Sequence, residues 1–260
     1  MKKIFGILFL ALTINGFAQE TADSSKTAKK VKTPKAEKVV MPKTPKPKVD
    51  YTKMDLSKRA SDHFMFQFGL AGWAGKPANI TTQFFNRTFN AYFLFDFPFK
   101  TNPRLSVAVG PGVGTDNIYF KDLTVDLNNR NGATFTRDTI VQYKKHKLAT
   151  GYVEAPVELR YSTNPQNMNK GWKFALGVKV GTMIDAKVKS KIDLDATGTG
   201  GYFTKEKDRR YLNTTRFALT GRVGLGNISV FGSYTLTDFF KEGQGPVVRP
   251  FSVGLAISGL

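Results

Sequence analysis

The chain has 260 residues, with 39 Lys or Arg against 20 Asp or Glu, a net charge of +19 and no cysteine. Disulfides, thiolate nucleophiles and zinc–thiolate centres are thereby excluded. Such a charge would suit nucleic acid, but the opening residues direct the chain to where nucleic acid is not routinely met.

Lys2 and Lys3 precede an apolar run over residues 4–12, and Gly16-Phe17-Ala18 ends in a small residue before Gln19. This is the order of a secretory signal, so residues 1–18 are read as a signal peptide. The apolar run is shorter than the ~20 residues a spanning helix needs. Residues 19–60 carry twelve Lys or Arg against five Asp or Glu, prolines at 34, 42, 45 and 47, and Tyr51 as the lone aromatic. Such a stretch cannot bury a core and is expected to be a disordered Lys/Pro-rich periplasmic linker. Its Thr-Pro-Lys repeats favour polyproline II, which at ~3.1 Å per residue would reach on the order of 100 Å. It is either a solvated tether or a basic arm held by anionic peptidoglycan or lipid headgroups.

From residue 61 to 260 the chain alternates with period two, and eight strands are predicted. Residues 63–73 set Phe64, Phe66, Phe68 and Leu70 against Met65, Gln67, Gly69 and Ala71; residues 89–99 set Phe93, Phe95 and Phe97 against Tyr92, Leu94 and Asp96. A third strand opposes Leu105, Val107, Val109 and Val113 to Ser106, Ala108, Gly110, Gly112 and Gly114. The fourth begins near Leu148 and continues as Tyr152-Val153-Glu154-Ala155-Pro156-Val157-Glu158-Leu159-Arg160-Tyr161, with acids and Arg on one face and apolar residues on the other. From Trp172, Phe174, Leu176, Val178 and Val180 oppose Lys173, Ala175, Gly177, Lys179 and Gly181. Three shorter strands follow: Phe217, Leu219 and Val223 against Arg216, Ala218 and Arg222; Ile228, Val230 and Tyr234 against Ser229, Phe231 and Ser233; and Phe251, Val253, Leu255 and Ile257 against Ser252, Gly254, Ala256 and Ser258.

Alternation has no sign, but residue size supplies one. The polar faces are rich in Gly, Ala and Ser, which fit a narrow bore, whereas the Phe, Trp and Leu of the other faces would overfill it. The fold class expected is all-β: an eight-stranded antiparallel transmembrane β-barrel with its large apolar side chains towards lipid. Trp73, Phe89, Phe97, Phe99, Tyr161, Trp172 and Phe251 lie near strand ends, as an interfacial girdle requires. Short connections after the even strands and long ones after the odd strands place both termini in the periplasm. Pro111 and Pro156 each remove a ladder donor and are read as bulge markers.

The motif from Tyr152 to Tyr161, the Leu176-Gly177-Val178-Lys179-Val180-Gly181 core that follows, and the closing Leu236-Thr237-Asp238-Phe239-Phe240-Lys241 and Pro250-Phe251-Ser252-Val253-Gly254-Leu255 together resemble the PorT-like outer-membrane β-barrel family of Bacteroidota. The resemblance covers about residues 62–260. It implies an eight-stranded outer-membrane barrel and no shared catalytic activity.

Asp96, Glu154, Glu158, Arg160, Lys173, Lys179, Arg216 and Arg222 point inward on this reading and should form an ion-pair network. The network is either a plug or the lining of a small anion-preferring pore. Lys144, Lys145, His146 and Lys147 form a basic cluster at the outer end of the fourth strand, a candidate contact for lipopolysaccharide. A lipid A-modifying enzyme would have to draw its base from His63 or His146. No cofactor or metal site is expected; residues 193–204 begin like a calcium loop but place Thr204 where the bidentate Glu belongs. The reading is an integral outer-membrane protein that is not an enzyme, with a structural or interaction role. The alternative is an accessory component of a secretion or transport assembly. Partners are expected to be outer-membrane lipid and lipopolysaccharide, with peptidoglycan or a secretion-system protein as further candidates, and not nucleic acid.

Overall fold

The computed structural model describes residues 59, 63–127, 129–130, 132–137, 143–192 and 203–259. The signal peptide, the linker apart from Arg59, and the calcium-like stretch 193–202 lie outside them. The strands are β1 (Phe64–Ala74), β2 (Arg87–Phe93), β3 (Phe95–Pro98), β4 (Leu105–Val109), β5 (Gly112–Phe120), β6 (Thr124–Asp126), β7 (Thr134–Thr136), β8 (Tyr143–Ser162), β9 (Trp172–Ile192), β10 (Phe203–Lys207), β11 (Thr215–Leu225), β12 (Ile228–Thr235) and β13 (Arg249–Ser258).

Eight of these close a ring in the order β1, β2, β5, β8, β9, β11, β12, β13, every neighbouring pair antiparallel. Closure is made by β1 on β13, with Phe66 opposite Ile257 and Gly69 opposite Gly254. β3 and β4 prolong β2 and β5, and β10 takes over from β11 as the neighbour of β9 beyond Thr182. Because Cβ atoms alternate, closure sends one parity of each strand inside. Phe68, Val157, Leu176, Leu219, Val230 and Leu255 are exposed outside, while Gln67, Glu158, Lys179, Arg222, Ser229 and Ala256 are buried inside.

β8 and β9 have 20 and 21 residues. A tilted span needs only ~9–11, so half of this hairpin stands beyond the outward apolar band. The fourth strand therefore begins at Tyr143, earlier than the sequence pattern suggests. Pro111 and Pro156 interrupt the ladder without shifting register: Gly112 pairs with Glu154 and Val109 with Val157, two residues facing two. The β8–β9 register shifts elsewhere, between Tyr143 and Lys145 and again where Gly151 pairs with Asp185 but Tyr152 with Met183. The extra residue, Ile184, resets the parity of β9, so that Ala186 and Val188 are again buried.

The long-loop end is covered. The β6–β7 hairpin lays Leu123, Val125 and Phe135 over the bore, where they meet Trp73, Phe239 and Phe240. The loops are mutually hydrogen-bonded: Ala133 N–H donates to Gln244 O at 2.8 Å, and Asn213 Nδ2 donates to Asp238 O and Phe240 O at 2.7 and 3.0 Å. Trp73, expected in the girdle, is only 5 % exposed and belongs to this cap. The other girdle aromatics remain on the outward surface, Trp172, Phe97 and Phe251 among them.

The closing seam depends on two glycines. A Cβ on Gly69 would lie 2.3 Å from Val253 O, and one on Gly254 would lie 2.1 Å from Phe68 O. Backbone cannot yield as a side chain can, so Gly254→Val should meet or exceed the ~1–3 kcal/mol usual for overpacking. The expected outcome is loss of the heat-modifiable folded band on gel electrophoresis, whereas Ser252→Ala should retain it.

Candidate functional site: the filled lumen and the cap

The charged side chains inside the ring are brought together by the small residues between them. On β9, Ala175, Gly177 and Gly181 alternate with one long side chain, Lys179. Gly177 stands between Glu158 of β8 and Thr220 of β11, and Gly181 between Glu154 and Arg216. Carboxylates on β8 therefore reach across β9 to guanidiniums on β11. A Cβ on Gly181 would meet Glu154 Cγ at 2.9 Å, and one on Gly114 would meet Asn90 Oδ1 at 2.7 Å.

Two tiers result. Towards the cap, Arg216 holds Asp116 at 2.6 Å and Glu154 at 2.9 Å, while Lys179 Nζ lies 3.1 Å from the other oxygen of Glu154. The Tyr92 hydroxyl donates to that same oxygen at 2.7 Å. The Arg216 guanidinium lies 4.4 Å from the Tyr152 ring centroid. Towards the short-turn end, Glu158 accepts from Arg222 at 2.8 Å and from Arg160 at 3.0 Å. Asp96 takes Arg59 at 2.7 Å and the Ser106 hydroxyl at 2.7 Å, with Arg160 at 3.7 Å. Arg59 also donates to Pro103 O at 2.7 Å. On the facing wall Met65, Tyr92, Leu94, Phe231 and Ala256 form one buried apolar cluster, beside Gln67 and Asn90, whose side chains are hydrogen-bonded to each other at 3.1 Å.

Of the eight inward charges read from the sequence, seven enter these ion pairs. Lys173, expected to meet the β8 carboxylates, donates to Asn169 Oδ1 at 3.1 Å in the turn below it. Three further participants join them. Asp116 continues the Gly112–Gly114 parity by one more step, a signal present in the sequence; Tyr92 is inward by alternation, which does not mark it as a donor; Arg59 lies in the stretch read as linker, and nothing local marks it.

His146 does not belong to an outer-face cluster. It is 3 % exposed, turned inward beneath the β6–β7 hairpin. Its Nε2 accepts from Val125 N–H at 3.0 Å, which leaves the proton on Nδ1, 2.8 Å from Ser190 Oγ. That pair is not a nucleophile and base, because the nitrogen opposite Ser190 is bound to a backbone amide where a triad needs a carboxylate. Lys147 points outward, with its Nζ 2.9 Å from Asn117 Oδ1; the side chains of Lys144 and Lys145 lie outside the described residues. His63 Nδ1 lies 2.9 Å from Leu94 O, and its ring stacks on Phe93. Among the described residues no group of three His, Asp or Glu could hold a metal ion.

The family model for the outer membrane protein beta-barrel domain matches residues 59–241. The chain belongs to this family and is an integral outer-membrane protein. Neither the curated proteins nor the solved structures contain a match.

Two outcomes follow from the geometry. Glu158→Ala leaves the buried Arg160 and Arg222 without their shared carboxylate and should cost ~3–5 kcal/mol, read as a lower urea midpoint in lipid vesicles; Asp238→Ala, at the exposed ion pair with Arg249, should cost under ~1 kcal/mol. Burial lowers the His146 pKa from 6.5 to about 4. The folded-state value is depressed, so the neutral ring's contribution is complete above pH 6.5 and is lost as pH falls towards 4. The protection factor of the Val125 amide against hydrogen exchange should fall as pH is lowered across that window, and His146→Gln should flatten the dependence.

Proposed function

We propose that this protein is a closed, non-catalytic outer-membrane barrel whose folded cap forms its working surface outside the cell, with both termini in the periplasm. The observation that carries the reading is the filled interior: two tiers of charge-neutralising side chains under an interlocked cap. A cavity bounded by Trp73, Asp116, Leu148 and Phe239 measures about 10 Å³, room for about one water. Six inward bases against four acids favour an anion-preferring pore as a second reading, but their mutual pairing opposes it. Contacts with lipopolysaccharide, peptidoglycan or a secretion-system protein belong to the same proposal. The PorT-like resemblance supports an accessory role in secretion. So does Arg59, which ties the point where the basic segment would leave the barrel to Asp96.

Planar-bilayer recordings on the refolded protein should show no conductance steps; stable steps would replace the plug with the pore. Because the chain lacks cysteine, orientation can be read by single substitutions. Glu242→Cys should react with an impermeant maleimide on intact cells, and Asn227→Cys only after the outer membrane is permeabilised. The reverse pattern would invert the barrel.

A further inference from the structure

The extended hairpin carries lysines abreast of one another on its outward face. Lys147 of β8 is directly opposite Lys189 of β9, and Lys189 is directly opposite Lys205 of β10. Cross-strand neighbours stand ~4.5–5.5 Å apart at Cβ, and like charges so placed repel. One step lower, Lys187 and Lys207 also face each other, but Asp185 lies between them, in contact with Lys187 and 3.4 Å from Lys207. Among the described residues no carboxylate forms an ion pair with Lys147, Lys189 or Lys205. Desolvation, then Lys187, Lys147 and Lys205, hold the Lys189 ammonium below its ordinary pKa, against a smaller opposing pull from Asp185. The sheet therefore carries an unneutralised row that disfavours its own folding.

The position of the row indicates what neutralises it. On β9 the outward apolar face ends at Ile184. Lys189 lies five residues further, which at ~3.3 Å per residue and a ~45° tilt is about 12 Å above the hydrocarbon edge. A lysine side chain can bend back several ångströms to reach a headgroup. Tyr119 of β5 is opposite Lys147, whose Nζ lies 5.2 Å from its ring centroid. Gln83 N–H donates to Tyr119 O at 2.8 Å and Asn86 Oδ1 accepts from Tyr119 N–H at 2.7 Å, which holds Phe84 and Phe85 alongside. These two rings are 76 % and 68 % exposed. Cations abreast with an apolar pair at their flank match an amphiphile that bears phosphate.

We propose that the Lys147–Lys189–Lys205 row, flanked by Tyr119, Phe84 and Phe85, is the docking surface for the phosphorylated headgroup of an outer-leaflet glycolipid. This rests on the membrane orientation given above and assigns the contact to Lys189 and Lys205, which the sequence pattern did not single out.

The test uses the full chain in phosphatidylcholine nanodiscs, titrated with lipid A and, separately, with inorganic phosphate. Replacing Lys147, Lys189 and Lys205 together by Gln should weaken lipid A binding about tenfold or more, while Lys187→Gln with Lys207→Gln should change it less than about twofold. The corresponding triple change to Arg should keep binding within about threefold. Equal losses in both Gln variants would reduce the row to diffuse charge and overturn the site, as would an unchanged triple Gln variant. Competition by inorganic phosphate as strong as by lipid A would assign the row to free anions and also overturn it. The maleimide pattern separates the two failures: inverted labelling removes the orientation, whereas correct labelling without lipid A discrimination removes only the docking surface.

Discussion

Inside hydrocarbon no water is available to an unpaired amide or carbonyl, so a sheet can cross a membrane only if its first and last strands meet. In this protein they meet where Gly69 lies against Gly254. The remainder of the interior follows from that closure. Eight strands make a narrow cylinder, and a cylinder that narrow accepts long inward side chains only where the neighbouring strand offers none. β9 supplies the vacancies at Ala175, Gly177 and Gly181, and the carboxylates of Glu154 and Glu158 cross them to Arg216 and Arg222. The glycines of this strand are thus part of the ion network, although they carry no charge.

Buried ion pairs are poor stabilisers on balance, since desolvation consumes most of the Coulombic gain. Their value here is in register. A slip of one residue between β8 and its neighbours would turn Glu154, Glu158 and Arg160 towards lipid and bring Val153, Val157 and Leu159 into a space already occupied. The apolar residues alone would resist such a slip weakly, because hydrocarbon is as favourable to them as a core. The charges make the wrong register prohibitive. The cap is held by different physics: Trp73, Phe239, Phe240 and the β6–β7 residues bury apolar surface against one another in water, as in a soluble domain.

The ring and the identity of its inward charges were legible in the sequence because period-two alternation is a local property, and each strand declares its two faces without reference to any other. What alternation cannot carry is whatever depends on a second segment. Trp73 looks like a girdle residue until loops from distant parts of the chain cover it. His146 sits among lysines in sequence, yet the bore turns it under Val125. Arg59 has no pattern around it, and only the turn that brings Pro103 and Asp96 beside it gives it a place. Ile184 shows the complementary limit: a single extra residue inverts the parity of everything after it, and only pairing with Gly151 and Tyr152 reveals where the inversion falls.

The same hairpin therefore treats charge in two opposite ways. Within the bore, Lys179 of β9 and Arg160 of β8 meet the carboxylates of Glu154 and Glu158, and the fold supplies counter-ions of its own. Above the apolar band, where water could hydrate each ammonium singly, the two strands and β10 set three lysines in a row with no acid among them. Repulsion between cross-strand neighbours costs a few tenths of a kcal/mol to about 1 kcal/mol per pair, and the extended hairpin has no bilayer to enforce its pairing. A sheet that bears this cost is most stable when anions are supplied from outside, which is the condition that the proposed glycolipid headgroup would meet.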